Sequence, residues 1–142
     1  MKICDIMTDG VVCVGAAEPV TAAARLLKQH NVGALPVCDN TGRLKGIITD
    51  RDIIMRCVAA EGNPKEMRVQ DIMSRGIITV SPFDDVEKAA RLMSEDQVRR
   101  LPVMDAGKLV GVLALSDMAR SCNCEMEAAG ALTEISANIR RK

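Results

Sequence analysis

The chain has 142 residues, 48% of them apolar and 27% charged, enough to bury an ordinary core as one domain without disulfide or metal staples. Nineteen basic residues balance nineteen acidic ones and Phe83 is the sole aromatic residue, so there is no net field for DNA or an anionic membrane and nothing to stack unpaired bases. The longest stretch free of charge, Gln29 to Cys38, falls far short of a membrane span.

In chain order, Cys4 to Met7 is a short apolar lead-in, Asp9-Gly10 a turn and Val11-Val12-Cys13-Val14 a strand. Val20, Ala23, Ala24 and Leu27 recur at the spacing of an amphipathic helix that starts at Pro19. Ala34 to Cys38 and Leu44 to Ile48, split by Asp39-Asn40-Thr41-Gly42, read as a β-hairpin, with Pro36 marking a strand start or edge. A helix follows from Asp50 to about Ala60 and stops before Glu61-Gly62-Asn63-Pro64.

The same series then returns. Laying residues 5 to 39 over 71 to 105 gives fifteen identities in thirty-five positions, including Asp5-Ile6-Met7 with Asp71-Ile72-Met73 and Leu35-Pro36-Val37 with Leu101-Pro102-Val103. Ile77-Ile78-Thr79-Val80 is the second strand, and Val86, Ala89, Ala90 and Met93 are the second helical stripe. Asp84 and Glu87 are spaced as a capping box, and Leu101 to Met104 with Lys108 to Leu113 repeat the hairpin. Gly46-Ile47-Ile48-Thr49-Asp50-Arg51-Asp52 is answered by Gly111-Val112-Leu113-Ala114-Leu115-Ser116-Asp117. Each half is thus strand, helix, strand, strand, helix, and the expectation is that the halves, 1–66 and 67–121, pack face to face with approximate twofold symmetry. Residues 122–142 lie outside the repeat. Ala128, Leu132, Ile135 and Ile139 give them the seam of an amphipathic helix, expected to pack in a dimer of this chain or on a foreign partner.

The doubled unit, with Asp-Ile-Met near its start, Leu-Pro-Val before a turn and Gly-Ile-Ile-Thr-Asp-Arg-Asp at its close, resembles the CBS domain, named after cystathionine β-synthase. Two in tandem resemble a Bateman module, and the resemblance covers residues 1 to about 121. It implies an α/β (α+β) fold and a non-catalytic regulatory module. It further implies adenosine nucleotides (AMP, ADP, ATP) or a related adenosyl ligand in the cleft between the repeats, commonly in a homodimer. In the family the closing motif supplies a hydroxyl residue near the ligand phosphate and an Asp three positions later for the ribose hydroxyls. Here these are Thr49 and Asp52. The second copy has Asp117 but Ala114 in place of the hydroxyl, with Ser116 two positions on. Arg99 and Arg100 match places where the family often sets basic side chains toward phosphate, where the first copy has Gly33 and Ala34.

Simpler roles compete for the same residues. Thr49 to Asp52 also fits a helix cap, and Arg51, Arg99 and Arg100 fit solvated surface charges. A structural dimer with no ligand is therefore one alternative. A thiol-based redox or metal sensor using Cys122-x-Cys124 is another, since one C-x-C alone is a weak metal signal. The single His30 allows no two-His metal site within a chain, and no Walker loop, G-x-S-x-G elbow or H-E-x-x-H helix is present. With no export-signal pattern, the six cysteines are expected to be reduced thiols in a cytoplasm, and any protein regulated by the module stays unidentified.

Overall fold

The computed structural model describes residues 1–121 and 125–141, with side chains left out at 125–127 and 137–141. It divides into two compact units: Val12–Ile77, and Met1–Val11 together with Ile78–Lys142. The units partition the chain differently from the repeats of the sequence. Each lead-in, Asp5-Ile6-Met7 or Asp71-Ile72-Met73, belongs to the unit built on the other copy's hairpin.

The unit Val12–Ile77 contains β1 (Val14–Gly15), α1 (Val20–His30), β2 (Ala34–Cys38), β3 (Leu44–Thr49), α2 (Asp50–Ile53) and α3 (Val69–Ile72). Its sheet has the order β1-β2-β3, with β1 parallel and β3 antiparallel to β2. Val20, Ala23 and Leu27 of α1 face the core, while Ala24, expected in the same stripe, is exposed. Asn31 in the left-handed region (φ 52°) ends the helix. Pro36 stands inside β2, opposite Ile47, and not at a strand start. Its missing N–H faces β1, where residue 12 would otherwise receive a ladder bond, so the parallel pairing begins only at Val14. The four-residue strand expected there is therefore two residues long. Beyond α2 the helix widens into a π-helical turn, Ile54–Val58, so its lower half is not the α-helix expected to run to Ala60. Two wide bonds mark this segment, Ala59 N–H to the Ile54 carbonyl (2.7 Å) and Gly62 N–H to that of Cys57 (2.8 Å); such bulges recur at functional positions.

The second unit contains α4 (Val86–Asp96), β4 (Arg100–Asp105), β5 (Lys108–Ala114), α5 (Leu115–Arg120) and α6 (Glu125–Arg141). β4 and β5 form an antiparallel pair, and the expected strand at 77–80 contributes one bridge, Val80 to Val103, for the reason just given, with Pro102 in the place of Pro36. Val86, Ala89, Ala90 and Met93 are all buried. The expected capping box at α4 does not form: Asp84 lies two residues before Val86, accepts the Ser81 N–H (2.9 Å) and pairs with Lys88 (3.2 Å). α6 buries Ala128, Ala131 and Ile135 in the core of its own unit, against α4 and α5. Leu132, expected in that seam, is 43% exposed.

Each hairpin is finished by a lead-in. Ile47 and Ser74 exchange both backbone hydrogen bonds (3.0 and 2.8 Å), and Thr8 and Val112 do the same (3.0 Å each). The approach requires glycine at the start of both closing motifs. A Cβ on Gly46 would stand 2.6 Å from the Ser74 carbonyl oxygen, and one on Gly111 2.7 Å from Met7 Sδ and 2.9 Å from the Thr8 carbonyl oxygen.

Candidate functional site

The bend from β3 into α2 brings Gly33, Ala34, Thr49 and Asp52 together. Ala34 pairs with Thr49 across the hairpin, and the Asp50 N–H donates to the Gly33 carbonyl at 3.0 Å. Thr49 has extended backbone (φ −118°, ψ 163°) and caps the helix: its hydroxyl accepts the Asp52 N–H, while its own N–H donates to Asp52 Oδ2, both at 3.0 Å. Asp52 is 8% exposed. Its other oxygen, Oδ1, is 4.0 Å from Arg56 Nε, and Arg56 also donates through Nη1 to the Ile72 carbonyl at 3.1 Å. A carboxylate so placed keeps one oxygen on the backbone and has one for an incoming donor. Asp50 and Arg51 at the same bend are exposed, and the Arg51 N–H donates to Asp50 Oδ1 at 2.7 Å.

The bend from β5 into α5 repeats this backbone with different side chains. Arg100 pairs with Ala114, and the Leu115 N–H donates to the Arg99 carbonyl at 2.8 Å. Asp117, 7% exposed, accepts the Ala114 N–H at Oδ2 (2.8 Å) and pairs through Oδ1 with Arg120. Ala114 has no hydroxyl to return to the Asp117 N–H, so this cap is one-sided. Asp52 and Asp117 are the only buried charged side chains among the described residues, an expensive placement that the capping bonds and arginines offset.

A cavity of about 580 Å³ opens beside the second bend, within the size range of small-molecule sites. Arg99, Arg100, Ala114 and Ser116 line it, so the structure unites four of the residues singled out in the sequence. Arg99 and Arg100 are exposed and have no carboxylate partner among the described residues. Asp117 is one residue from Ser116 but is not part of the lining, because its oxygens turn to the cap and to Arg120. Gly33, Ala34, Thr49, Arg51 and Asp52 belong to the other unit and line no part of this cavity. Sequence reading missed the wall given by Ala128, Ala129 and Leu132 of α6; its only trace was their shared side of the helical spacing. It also missed Arg56, whose position four residues after Asp52 fits an i,i+4 ion pair.

Among the described residues, no group of three or more His, Cys, Asp or Glu side chains could hold a metal ion. Cys122 and Cys124 lie outside the described residues. Cys38 is buried, and desolvation together with the neighbouring Cys13 pushes its thiol up to about 12, which keeps it protonated and unreactive. No described helix is long and apolar enough to cross a membrane.

The chain is 42% identical over 132 residues to the CBS domain-containing protein YhcV of Bacillus subtilis, covering 93% of each chain. Hypoxic response protein 1 of Mycobacterium tuberculosis is 40% identical over 116 residues, 82% of this chain and 81% of its own. A crystal structure of Hypoxic Response Protein I with two coordinated zinc ions superposes with a TM-score of 0.79 at 38% identity, covering 84% of this chain and 98% of that one. Two more distant crystal structures hold adenosine compounds. One is the CBS domain pair of MJ0100 with 5′-methylthioadenosine and S-adenosyl-L-methionine (TM-score 0.74, 30% identity, 84% and 94% covered), the other CBSX2 with AMP (TM-score 0.73, 32% identity, 84% and 93% covered). The family model of the CBS domain matches twice, at residues 3–59 and 69–123; with two repeats, each closing in a strand that enters a helix at a buried aspartate, the chain belongs to the CBS domain family.

Proposed function

We propose that this chain is a regulatory, non-catalytic module that binds an adenosine nucleotide at the second bend, with the phosphate on Arg99 and Arg100 and the ribose taken by Asp117, whose Oδ1 exchanges Arg120 for the ribose hydroxyls. The observation that carries this reading is a pair of arginines without acidic partners among the described residues, at a cavity of ligand size. Guanidinium forks match phosphate oxygens, and a carboxylate accepts from two vicinal hydroxyls. Adenosine ligands in related structures support the ligand class. AMP, ADP and ATP are the leading ligands, and S-adenosylmethionine the adenosyl alternative. Thr49 and Asp52 offer a hydroxyl and a carboxylate at the first bend for a second, weaker ligand, since Gly33 and Ala34 bring no charge there. Occupancy acts on a regulated protein by favouring one of two conformations. The exposed Ile54, Met55 and Val58 beside α2 support a homodimer, with a mass of two chains in light scattering as its check. The cytoplasm is the compartment this reading assigns.

Thermal melts with AMP, ADP, ATP, NAD and S-adenosylmethionine test it, because a ligand selective for the native state raises the melting point. A rise of several degrees with at least one adenosine ligand is expected; melting points unchanged by all five at millimolar concentration would overturn the reading. A purely structural role is favoured by one observation, the complete reciprocal cap of Thr49 and Asp52. That outcome of the melts would leave the cap as the whole purpose of the motif.

A further inference from the structure

We propose that α6 is the base-recognising wall of this site: Ala128, Ala129 and Leu132 pack against the purine of a nucleotide whose phosphate is on Arg99 and Arg100. The inference rests on the nucleotide reading and goes beyond it, because α6 lies outside both segments that match the family model.

The lining of the cavity is divided chemically. The two arginines stand at the entry to β4 and Ser116 at the start of α5, whereas the second half of α5 and α6 contribute hydrocarbon, with Ala119 on the first and Ala128, Ala129 and Leu132 on the second. Alanine at three of these four places keeps the space open, since longer side chains there would fill it. Phe83, the one aromatic residue, takes no part, so a base here must lie on aliphatic groups. α6 is held through Ala128, Ala131 and Ile135, packed in the cluster that contains Met93 and Met118. Leu132, one turn beyond Ala128, remains 43% exposed at the cavity. A ligand covering Leu132 removes apolar surface from water, and that gain exists only while α6 is docked. Occupancy and the docked state of the C-terminal helix are therefore linked, and each favours the other.

The test uses the full chain and AMP. Ala129→Leu, at an exposed position, fills the cavity and is expected to weaken AMP at least tenfold in calorimetry without lowering the melting point of the free protein. Should it lower that melting point, Leu132→Ala takes its place, with a loss of at least threefold. In the wild type, saturating AMP is expected to slow amide exchange over residues 128 to 135 severalfold. AMP that binds the variants as tightly as the wild type, or that leaves α6 exchange unchanged, overturns the inference, and in that case a loss of binding in Arg99→Ala/Arg100→Ala keeps the nucleotide reading intact. If the wild type takes up no AMP, the same variants are measured with whichever of the five ligands raises the melting point; uptake of none of them overturns both.

Discussion

At the first bend Thr49 closes a reciprocal cap with Asp52, Asp50 and Arg51 stand in solvent, and Gly33 and Ala34 leave the opposite side bare. At the second, the same backbone turn has Ala114 and Leu115 in place of Thr49 and Asp50, and Arg99 and Arg100 in place of the two small residues. Among the described residues, the first bend thus sets two acids against two arginines when Arg56 is included, whereas the second sets Asp117 against Arg99, Arg100 and Arg120. Duplication preserved the hydrogen-bonded frame, namely the glycine under the lead-in, the bond from the helix N-terminus back to the residue before β2 or β4, and the buried aspartate. The side chains around that frame diverged. The part that stabilises the fold is shared, and the cationic part, which the proposed reading gives to a phosphate, is concentrated in one copy.

The comparison breaks most readily at the arginines. Arg99→Ala/Arg100→Ala is expected to weaken AMP by about 100-fold or more, because two charge-assisted contacts at about 1.5–3 kcal/mol each are lost and each ~1.4 kcal/mol is a factor of ten. Arg51→Ala at the first bend should change the calorimetric affinity less than threefold. Equal effects at the two bends would erase the asymmetry. The shared frame is probed by Gly46→Ala and Gly111→Ala, which drive a Cβ into the lead-in backbone. Urea unfolding should register a loss of about 1–3 kcal/mol for each, the range of overpacked interiors. A loss confined to one of them would mean that the two copies are not braced alike.

Asp52→Ala should weaken the second, weaker ligand by more than tenfold while the tight one is retained, and the protein should stay folded by circular dichroism. Reciprocal exchange of the cap hydroxyl is a smaller test: Thr49→Ala is expected to cost about 1 kcal/mol in urea unfolding and Ala114→Thr to add up to about as much, since both positions have the extended backbone of a cap residue. The smallest effect concerns the turn of the first hairpin. There the Thr41 hydroxyl and then the Arg43 N–H hold the Asp39 carboxyl down at about 2. A depressed carboxylate stabilises the fold above its unfolded value near 4 and loses that contribution as pH falls through about 2. Carbon-13 titration should place the Asp39 midpoint near 2, and Thr41→Ala should bring it toward the ordinary range.

The repeat, the hairpins and the two long helices were legible because apolar spacing and the doubled motifs state them directly. Both bends were located as well, with Asp52 and Asp117 at the first turn of a helix. What escaped depends on neighbours distant in sequence. Gly46 and Gly111 read as strand openers, yet their necessity comes from Ser74 and from Met7 and Thr8. Pro36 and Pro102 read as strand boundaries, but each sits inside its strand with the missing N–H toward the parallel neighbour, which shortens that neighbour instead. The π-helical turn has no pattern distinct from an α-helix. α6 was recognisable as amphipathic, but which stripe it buries was decided by α4 and α5, which accept Ala131 and leave Leu132 at the cavity.

A crystal structure of the full chain grown with AMP is the most direct test of the central claim. The account predicts phosphate oxygens within hydrogen-bonding distance of the Arg99 and Arg100 guanidinium groups in the principal site. AMP bound with its phosphate remote from both arginines, and the cavity beside Ala114 and Ser116 left without it, would contradict the account.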